Sequence, residues 1–459
     1  MTTPSELRAL LTSRRYLSLL ALAALIGVPI SAAAFGFLAL VNRMQRWVFT
    51  DLPRGLGFHG EPLWWPVAPL VLAGIGVPLA IRYLPGNGGH SPADGFQAGK
   101  GAPGPAELPG IVLAALATLC LGVVLGPEAP LLALGGGLGV CAIRLIKRNA
   151  PAQATSVVAA AGSFATISTL FGSPLLGAFL LMEVSGISGD AMEVALLPGL
   201  LASGIGSLIF IGLGRWTGLG TFSLAIPHLP HFGTPDAAEF GWALVIGVAA
   251  AVAGSGIRRL GLRLRPYVER RMLLIMPVAG LAIAGLAIAF AVGTGKASSE
   301  VLFSGQNALG PLLAHAASYT AAAVVLLLAC KGLAYGISLS GFRGGPVFPS
   351  MFLGAAGGIA LSHLPGLPLV AGAAMGIGAM CAVLLRLPLT SVLLATLLLS
   401  SDGLAVMPLV IVAVVVAYVL SARLMPAPPA AKAAPPAPST PGRPATAGAT
   451  SAPARSAPR

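Results

Sequence analysis

Apolar runs separated by short clusters of Gly, Pro and charged residues recur along the whole chain, and most runs have membrane-spanning length. A helix needs about 20 apolar residues to cross a hydrocarbon core of roughly 30 Å. Residues 16–41 form the first such run. Ala32-Ala33-Ala34 resembles a cleavage site, but the run exceeds the roughly 7–15 apolar residues of a signal peptide and reads as a span. The pattern predicts further spans at 64–83, 153–170, 192–214, 239–257, 272–292, 314–339, 367–385 and 404–420. It also predicts a helix pair at 107–125 and 129–146, a short helix from the turn at 85–92 to near Gly99, and another from the break at 340–349 to about Leu361.

The helix pair meets at Leu125-Gly126-Pro127-Glu128-Ala129-Pro130, one carboxylate between two apolar runs. An ionisable group at such depth is costly unless it faces water or a partner, so it is a functional candidate by default. Gly126 frees the backbone, and Pro127 and Pro130 suit a first helical turn, where a missing N–H is no loss. Glu128 therefore stands at the N-terminus of a helix running to about Lys147. Unpaired N–H groups and the positive end of the dipole favour an anion there, and a carboxylate can occupy the same place. The plain alternative is a carboxylate that caps a helix at the membrane surface. The turn Pro85-Gly86-Asn87-Gly88-Gly89-His90-Ser91-Pro92 is a second anion-competent helix start, with Asn87 or Ser91 as its cap.

Composition sharpens the class. Of 459 residues 56% are hydrophobic and only 9% charged, against about 25% charged in a soluble domain, so the chain is an all-α polytopic membrane protein. Sixty Gly and 39 Pro point to broken helices and close helix contacts. Gly135-Gly136-Gly137-Leu138-Gly139 follows no strand and reads as packing, not as a dinucleotide loop. The net charge of +13 lies in loops and termini, as the positive-inside rule expects, and implies no nucleic-acid partner. Arg8, Arg14 and Arg15 mark a cytoplasmic N-terminus, and Arg144, Lys147 and Arg148 another cytoplasmic end. Arg258, Arg259, Arg263, Arg265, Arg270 and Arg271 mark a cytoplasmic loop. Cys120, Cys141, Cys330 and Cys381 read as small core residues, and His228 and His231 lack a third ligand, so neither a metal nor a cofactor is expected.

Breaks recur in the two halves. Gly126-Pro127-Glu128 is echoed by Gly345-Pro346-Val347, and Phe171-Gly172-Ser173-Pro174-Leu175 by Arg386-Leu387-Pro388-Leu389-Thr390. Discontinuous helices at matching places point to a transport site near the bilayer midplane, and inward-aimed helix N-termini select an anion. The organisation expected is a cytoplasmic segment at 1–15, a first repeat at 16–215, a linker at 216–237, a second repeat at 238–424, and a disordered Pro/Ala-rich cytoplasmic tail at 425–459.

With these motifs in view, residues 16–420 resemble the CLC family of chloride channels and chloride/proton antiporters. Gly126-Pro127-Glu128-Ala129-Pro130 is similar to that family's G-K/R-E-G-P, and Gly345-Pro346-Val347-Phe348-Pro349 to its G-x-F-x-P. The loop at 86–92 is similar to its G-S-G-I-P. The resemblance implies an inverted repeat of broken, tilted helices and a plasma-membrane homodimer in which each subunit conducts chloride or a similar small anion. Glu128 would be the gate, and Gly126, Pro127, Ala129, Gly345, Pro346, Val347 and Phe348 would bind the anion. Asn87, Gly89 or Ser91 would stand for the first signature's serine, and Glu128 and Glu183 would form the proton pathway.

The departures are specific. Pro127 replaces a basic residue, Ala129 a glycine, and Phe348 comes one place late. Val184 takes the place of the antiporters' internal glutamate, with Glu183 just before it, and the final helix with its tyrosine has no counterpart, Tyr418 lying earlier. Channel and antiporter both remain expectations, as does a fluoride-handling variant. A secondary transporter for an organic solute would need more polar groups in its spans, and an intramembrane enzyme a nucleophile–base or metal constellation that the spans lack.

Overall fold

The structure, a computed structural model, describes residues 11–95, 102–185, 190–218, 232–399 and 403–425. Most of the N-terminal segment, residues 186–189, the central linker with His228 and His231, and nearly all of the tail lie outside the described residues. The described chain is helical. Its helices are α1 (Arg14–Arg46), α2 (Val67–Tyr83), α3 (Leu108–Leu119), α4 (Glu128–Ile146), α5 (Ala152–Phe171), α6 (Pro174–Ser185), α7 (Asp190–Thr217), α8 (Ala237–Arg270), α9 (Met272–Thr294), α10 (Gln306–Ala314), α11 (Ala321–Leu339), α12 (Val347–Ser362), α13 (Leu369–Leu385), α14 (Pro388–Leu398) and α15 (Gly403–Leu424). Among the described residues, eight candidate spans are long and apolar enough to cross a membrane, among them α4, α5, α8, α9, α11 and α15.

The remaining helices are the informative ones. At about 1.5 Å per residue, the 12 residues of α3 and the 16 of α12 fall short of a roughly 30 Å core. Short helices end inside the protein, and that is where the Gly-Pro breaks lie.

Glycine sets the helix spacing in both halves. A Cβ on Gly162 of α5 would meet the Gly135 carbonyl oxygen of α4 at 2.2 Å, and one on Gly358 of α12 would meet the Gly372 carbonyl oxygen of α13 at 2.0 Å. The backbones touch, as small residues allow where the solvent is lipid. The glycine run at 135–139 is thus a packing surface. Helix α13 is buried on every side from Val370 to Leu385, so it is the core of the fold rather than a lipid-facing span.

Three sequence expectations are corrected. The basic stretch after residue 257 is not a loop, because α8 continues through it to Arg270. Arginine favours helix once the apolar span ends, and Arg265 pairs with Glu269 one turn on at 2.6 Å. The run at 314–339 starts its helix only at Ala321, behind a separate short helix, α10. Of the short helix expected to run to near Gly99, the described part is a 3₁₀ turn, Pro92–Asp94, followed by Gly95 at φ 82°, and residues 96–99 lie outside the described residues.

Candidate functional site

Each half contributes one interrupted helix start, and the two meet. The Gly126 N–H donates to the Gly345 carbonyl oxygen at 2.7 Å, and the Gly345 N–H donates to that of Gly126 at 2.6 Å. This antiparallel bridge is the isolated β-contact among the described residues. It satisfies four backbone groups that the breaks would otherwise leave bare in an apolar interior. From it α4 leaves at Glu128 and α12 at Val347, with Pro127 and Pro346 as their caps.

The Glu128 side chain is fully buried and crosses to the other half. Its Oε1 accepts the Phe348 N–H at 2.8 Å, so the carboxylate rests on the N-terminus of α12 as well as beginning α4. Among the described residues its Oε2 has no hydrogen-bond partner. The fit depends on both glycines. A Cβ on Gly345 would lie 1.7 Å from Oε2, and one on Gly126 2.3 Å from the same atom. Phe348 closes the seat against Phe171, ring centroids 5.9 Å apart.

Two cavities approach the carboxylate from opposite sides. One, of about 1100 Å³, is lined by Asn87, Gly89, Ser91, Ala129, Pro346 and Arg343, among others. The other, of about 80 Å³, is lined by Leu125, Pro127, Asn42, Gln45 and the 302–308 segment. Consecutive residues on either side of Glu128 thus face different spaces, and Glu128 itself faces neither. In sequence it stands between Pro127, which lines the smaller cavity, and Ala129, which lines the larger.

The structure therefore gathers the anion-binding candidates Gly126, Pro127, Ala129, Gly345, Pro346, Val347 and Phe348 around Glu128, and sets Asn87, Gly89 and Ser91 on the wall of the larger cavity. The 86–89 turn is possible because its glycines and Asn87 take positive φ, Asn87 at 51°.

Glu183 is placed elsewhere. Both its oxygens cap the start of α14: Leu389 N–H donates at 3.0 Å, Thr390 N–H at 2.8 Å and the Thr390 hydroxyl at 2.6 Å. The carboxylate ties α6 to the matching helix of the second half, a favourable use of a helix N-terminus. Glu183→Ala is expected to lower stability by about 1–3 kcal/mol, read as a fall in the thermal midpoint in detergent.

Four residues escaped the sequence reading. Tyr335 is buried with its hydroxyl donating to the Pro346 carbonyl oxygen at 3.3 Å, and Ser350 donates to the same oxygen at 2.6 Å, so the cap of α12 is held by side chains. Lys331 and Arg343 are treated below. The available signal was charge within an apolar run.

Comparison with known proteins follows this geometry. The family model described as voltage gated chloride channel matches residues 73–422. The chain belongs to the voltage-gated chloride channel (CLC) family. Among its relatives, the protein YfeO of Escherichia coli (strain SMS-3-5 / SECEC), provisionally named an ion-transport protein, is 30% identical over 350 residues, 75% of this chain and 79% of its own. YfeO of Salmonella schwarzengrund is 32% identical over 366 residues, 77% and 83% of the two chains. The fold is similar to that of a slow cyanobacterial Cl⁻/H⁺ antiporter, with a TM-score of 0.70 at 20% identity covering 88% of this chain and 94% of that one. It is also similar to a CLC-type fluoride/proton antiporter, with a TM-score of 0.62 at 21% identity covering 92% and 98%. This CLC-family chain is a multi-pass membrane protein, and its described residues, helical and without strands, have the architecture of CLC transporters.

Proposed function

We propose that this protein transports a small anion, chloride in the first instance, between the two cavities, and that the Glu128 carboxylate gates the passage. The observation that carries the reading is the Glu128 carboxylate on the Phe348 N–H. A carboxylate bound by a helix N-terminus occupies a place that suits a free anion, so the two compete. Movement or protonation of Glu128 frees the seat and joins the cavities. The backbone N–H groups then stand in for water around the ion.

The assembly is read as a plasma-membrane homodimer with its basic ends cytoplasmic and its two halves as inverted repeats, as the resemblance implies. The exposed Leu175, Leu389, Leu397 and Leu404 offer apolar surface on α6, α14 and α15 for such a pairing. Catalysis of a chemical reaction is no part of this reading. A proton role for Glu183 requires its release from α14. Glu183→Ala separates the alternatives: a structural brace loses stability alone, a proton residue loses proton movement as well.

Efflux from proteoliposomes, recording chloride and pH together for wild type and Glu128→Ala, tests the function. Wild type is expected to release chloride, and Glu128→Ala to release it with at least about tenfold weaker response to pH, a 1.4 kcal/mol effect. Opposed proton movement in wild type identifies an antiporter, its absence a channel. Fluoride released in preference to chloride identifies the fluoride-handling variant. No efflux of chloride, fluoride or nitrate from either protein defeats the proposal.

A further inference from the structure

Helix α8 has 34 residues where about 20 cross a membrane, so its arginine-bearing end at 258–270 lies beyond what a span requires. That end touches both segments that build the site. Val268 is buried against the second-half break, since a Cβ on Gly341 would meet Val268 Cγ1 at 2.6 Å. Arg265, on the turn before Val268, reaches the first-half turn. Its Nη1 pairs with the Asp94 carboxylate, and its Nε with Glu269 on the next turn of α8 at 2.6 Å. Both members of the Asp94 pair are partly exposed.

The turn at 86–95 has little to hold it from within. Asn87 and the glycines at 86, 88, 89 and 95 all take positive φ, and glycine gives up the most chain entropy on being fixed. Inside the turn, Gly89 N–H donates to the Gly86 carbonyl oxygen at 2.8 Å, Asp94 N–H to that of Ser91 at 3.2 Å, and Gly95 N–H to that of Pro92 at 3.1 Å. The Ser91 side chain makes no cap bond to the 3₁₀ turn it precedes. Contacts from outside therefore decide where Asn87, Gly89 and Ser91 stand on the wall of the larger cavity. At one end Gly86 lies against Glu107, whose carbonyl oxygen would be 2.8 Å from an added Cβ, and Arg343 Nε donates to the Asn87 carbonyl oxygen at 3.4 Å. At the other end Arg265 holds Asp94.

We propose that Arg265 is a positioning residue of the anion pathway: its ion pair with Asp94 braces the turn at 86–95 against α8 and so sets the place of Gly89 and Ser91 on the cavity wall. The proposal rests on the anion-transport reading. Asp94 and Ser91 belong to one hydrogen-bonded turn, so a shift of the first carries the second. The rigid partner is α8, seated on the other break through Val268, and the pair thereby ties the two halves of the site together. Asp94 also acts on the charges of Arg258 and Arg343, so the pair contributes to the potential of this rim as well. The two effects differ in sign. By potential alone, loss of Asp94 would favour an anion and loss of Arg265 would disfavour it. A brace fails in the same direction whichever partner is lost.

The test is the dependence of chloride efflux on chloride concentration in proteoliposomes, for wild type, Arg265→Gln, Asp94→Asn, the double variant and Arg265→Lys, with the thermal midpoint of each in detergent. Both single variants are expected to raise the half-saturating concentration about threefold, the scale of a partly exposed ion pair. The double variant should raise it no further, as for two groups in contact. Arg265→Lys, which keeps a cation within reach of Asp94, should stay close to wild type. Shifts of opposite sign in the single variants, additive shifts in the double variant, or an unchanged half-saturating concentration whatever the thermal midpoint overturn this inference while the transport reading stands. Absence of all anion efflux from wild type overturns the transport reading and this inference with it.

Discussion

Gly345→Ala is expected to expel the Glu128 carboxylate from its seat. The added methyl would stand 1.7 Å from Oε2, where no Cβ contact survives, and 3.0 Å from the Ala129 N. The backbone itself accepts alanine, since Gly345 is not among the positive-φ glycines. The neighbour that yields is the carboxylate, which has a rotatable side chain, whereas the bridged backbone at Gly126 does not. The variant should therefore resemble Glu128→Ala in losing pH response of anion efflux, by at least about tenfold, or 1.4 kcal/mol. Adding Glu128→Ala to Gly345→Ala should change little more, a non-additivity of the kind expected for groups in contact. Independent, additive effects in that double variant would show that the two residues do not share one seat.

Lys331→Met is expected to cause the largest loss of stability of any single substitution on α11. Lys331 is fully buried, and its Nζ donates to the carbonyl oxygens of Glu300, Val301 and Leu302 at 3.0, 3.0 and 2.9 Å, with Phe303 O at 3.3 Å. It also lies 4.4 Å from the Phe352 ring centroid on α12. An ammonium has three N–H groups, and here four carbonyls compete for them, so the segment is wrapped around the charge. The segment needs that hold. Phe303 has φ 58°, an uncommon conformation for a bulky residue, and it borders the smaller cavity with Leu302 and Ser304. Methionine would fill the volume but leave the carbonyls without a donor, a loss of at least about 3 kcal/mol given roughly 1.5–3 per charged hydrogen bond. Thermal unfolding in detergent reads this, with Leu333→Ala as the control, an exposed position on the same helix. A midpoint no lower than that control would contradict the account.

Much of this arrangement was legible in the residue order. The Gly-Pro breaks at 126–127 and 345–346 stand out because each interrupts an apolar run, and Glu128 because it is charged there. Their echo also pairs the two segments that the structure bridges. What the sequence does not state is the crossing: Glu128 binds a residue 220 positions away, and only the folded chain brings that amide to it. Its own helix start was the nearer expectation. Arg343 and Lys331 were hidden differently, inside segments read as a break and a span, although a charge in an apolar setting is itself a signal. The run of arginines beyond residue 257 misled because charge ends a span by hydropathy while leaving the helix free to continue. Glu183, expected on a proton pathway, stands near the end of its own helix, and the helix start it caps lies 206–207 positions on, a contact only folding makes.

The central claim is that the Glu128 carboxylate occupies an anion's place. Crystals of Glu128→Ala grown with bromide, with anomalous diffraction collected at the bromine edge, test it most directly. The account predicts a bromide peak within hydrogen-bonding distance of the Phe348 N, between Gly126 and Gly345, where the carboxylate lies in the wild-type chain. Bromide in the two cavities with none at that amide would contradict it.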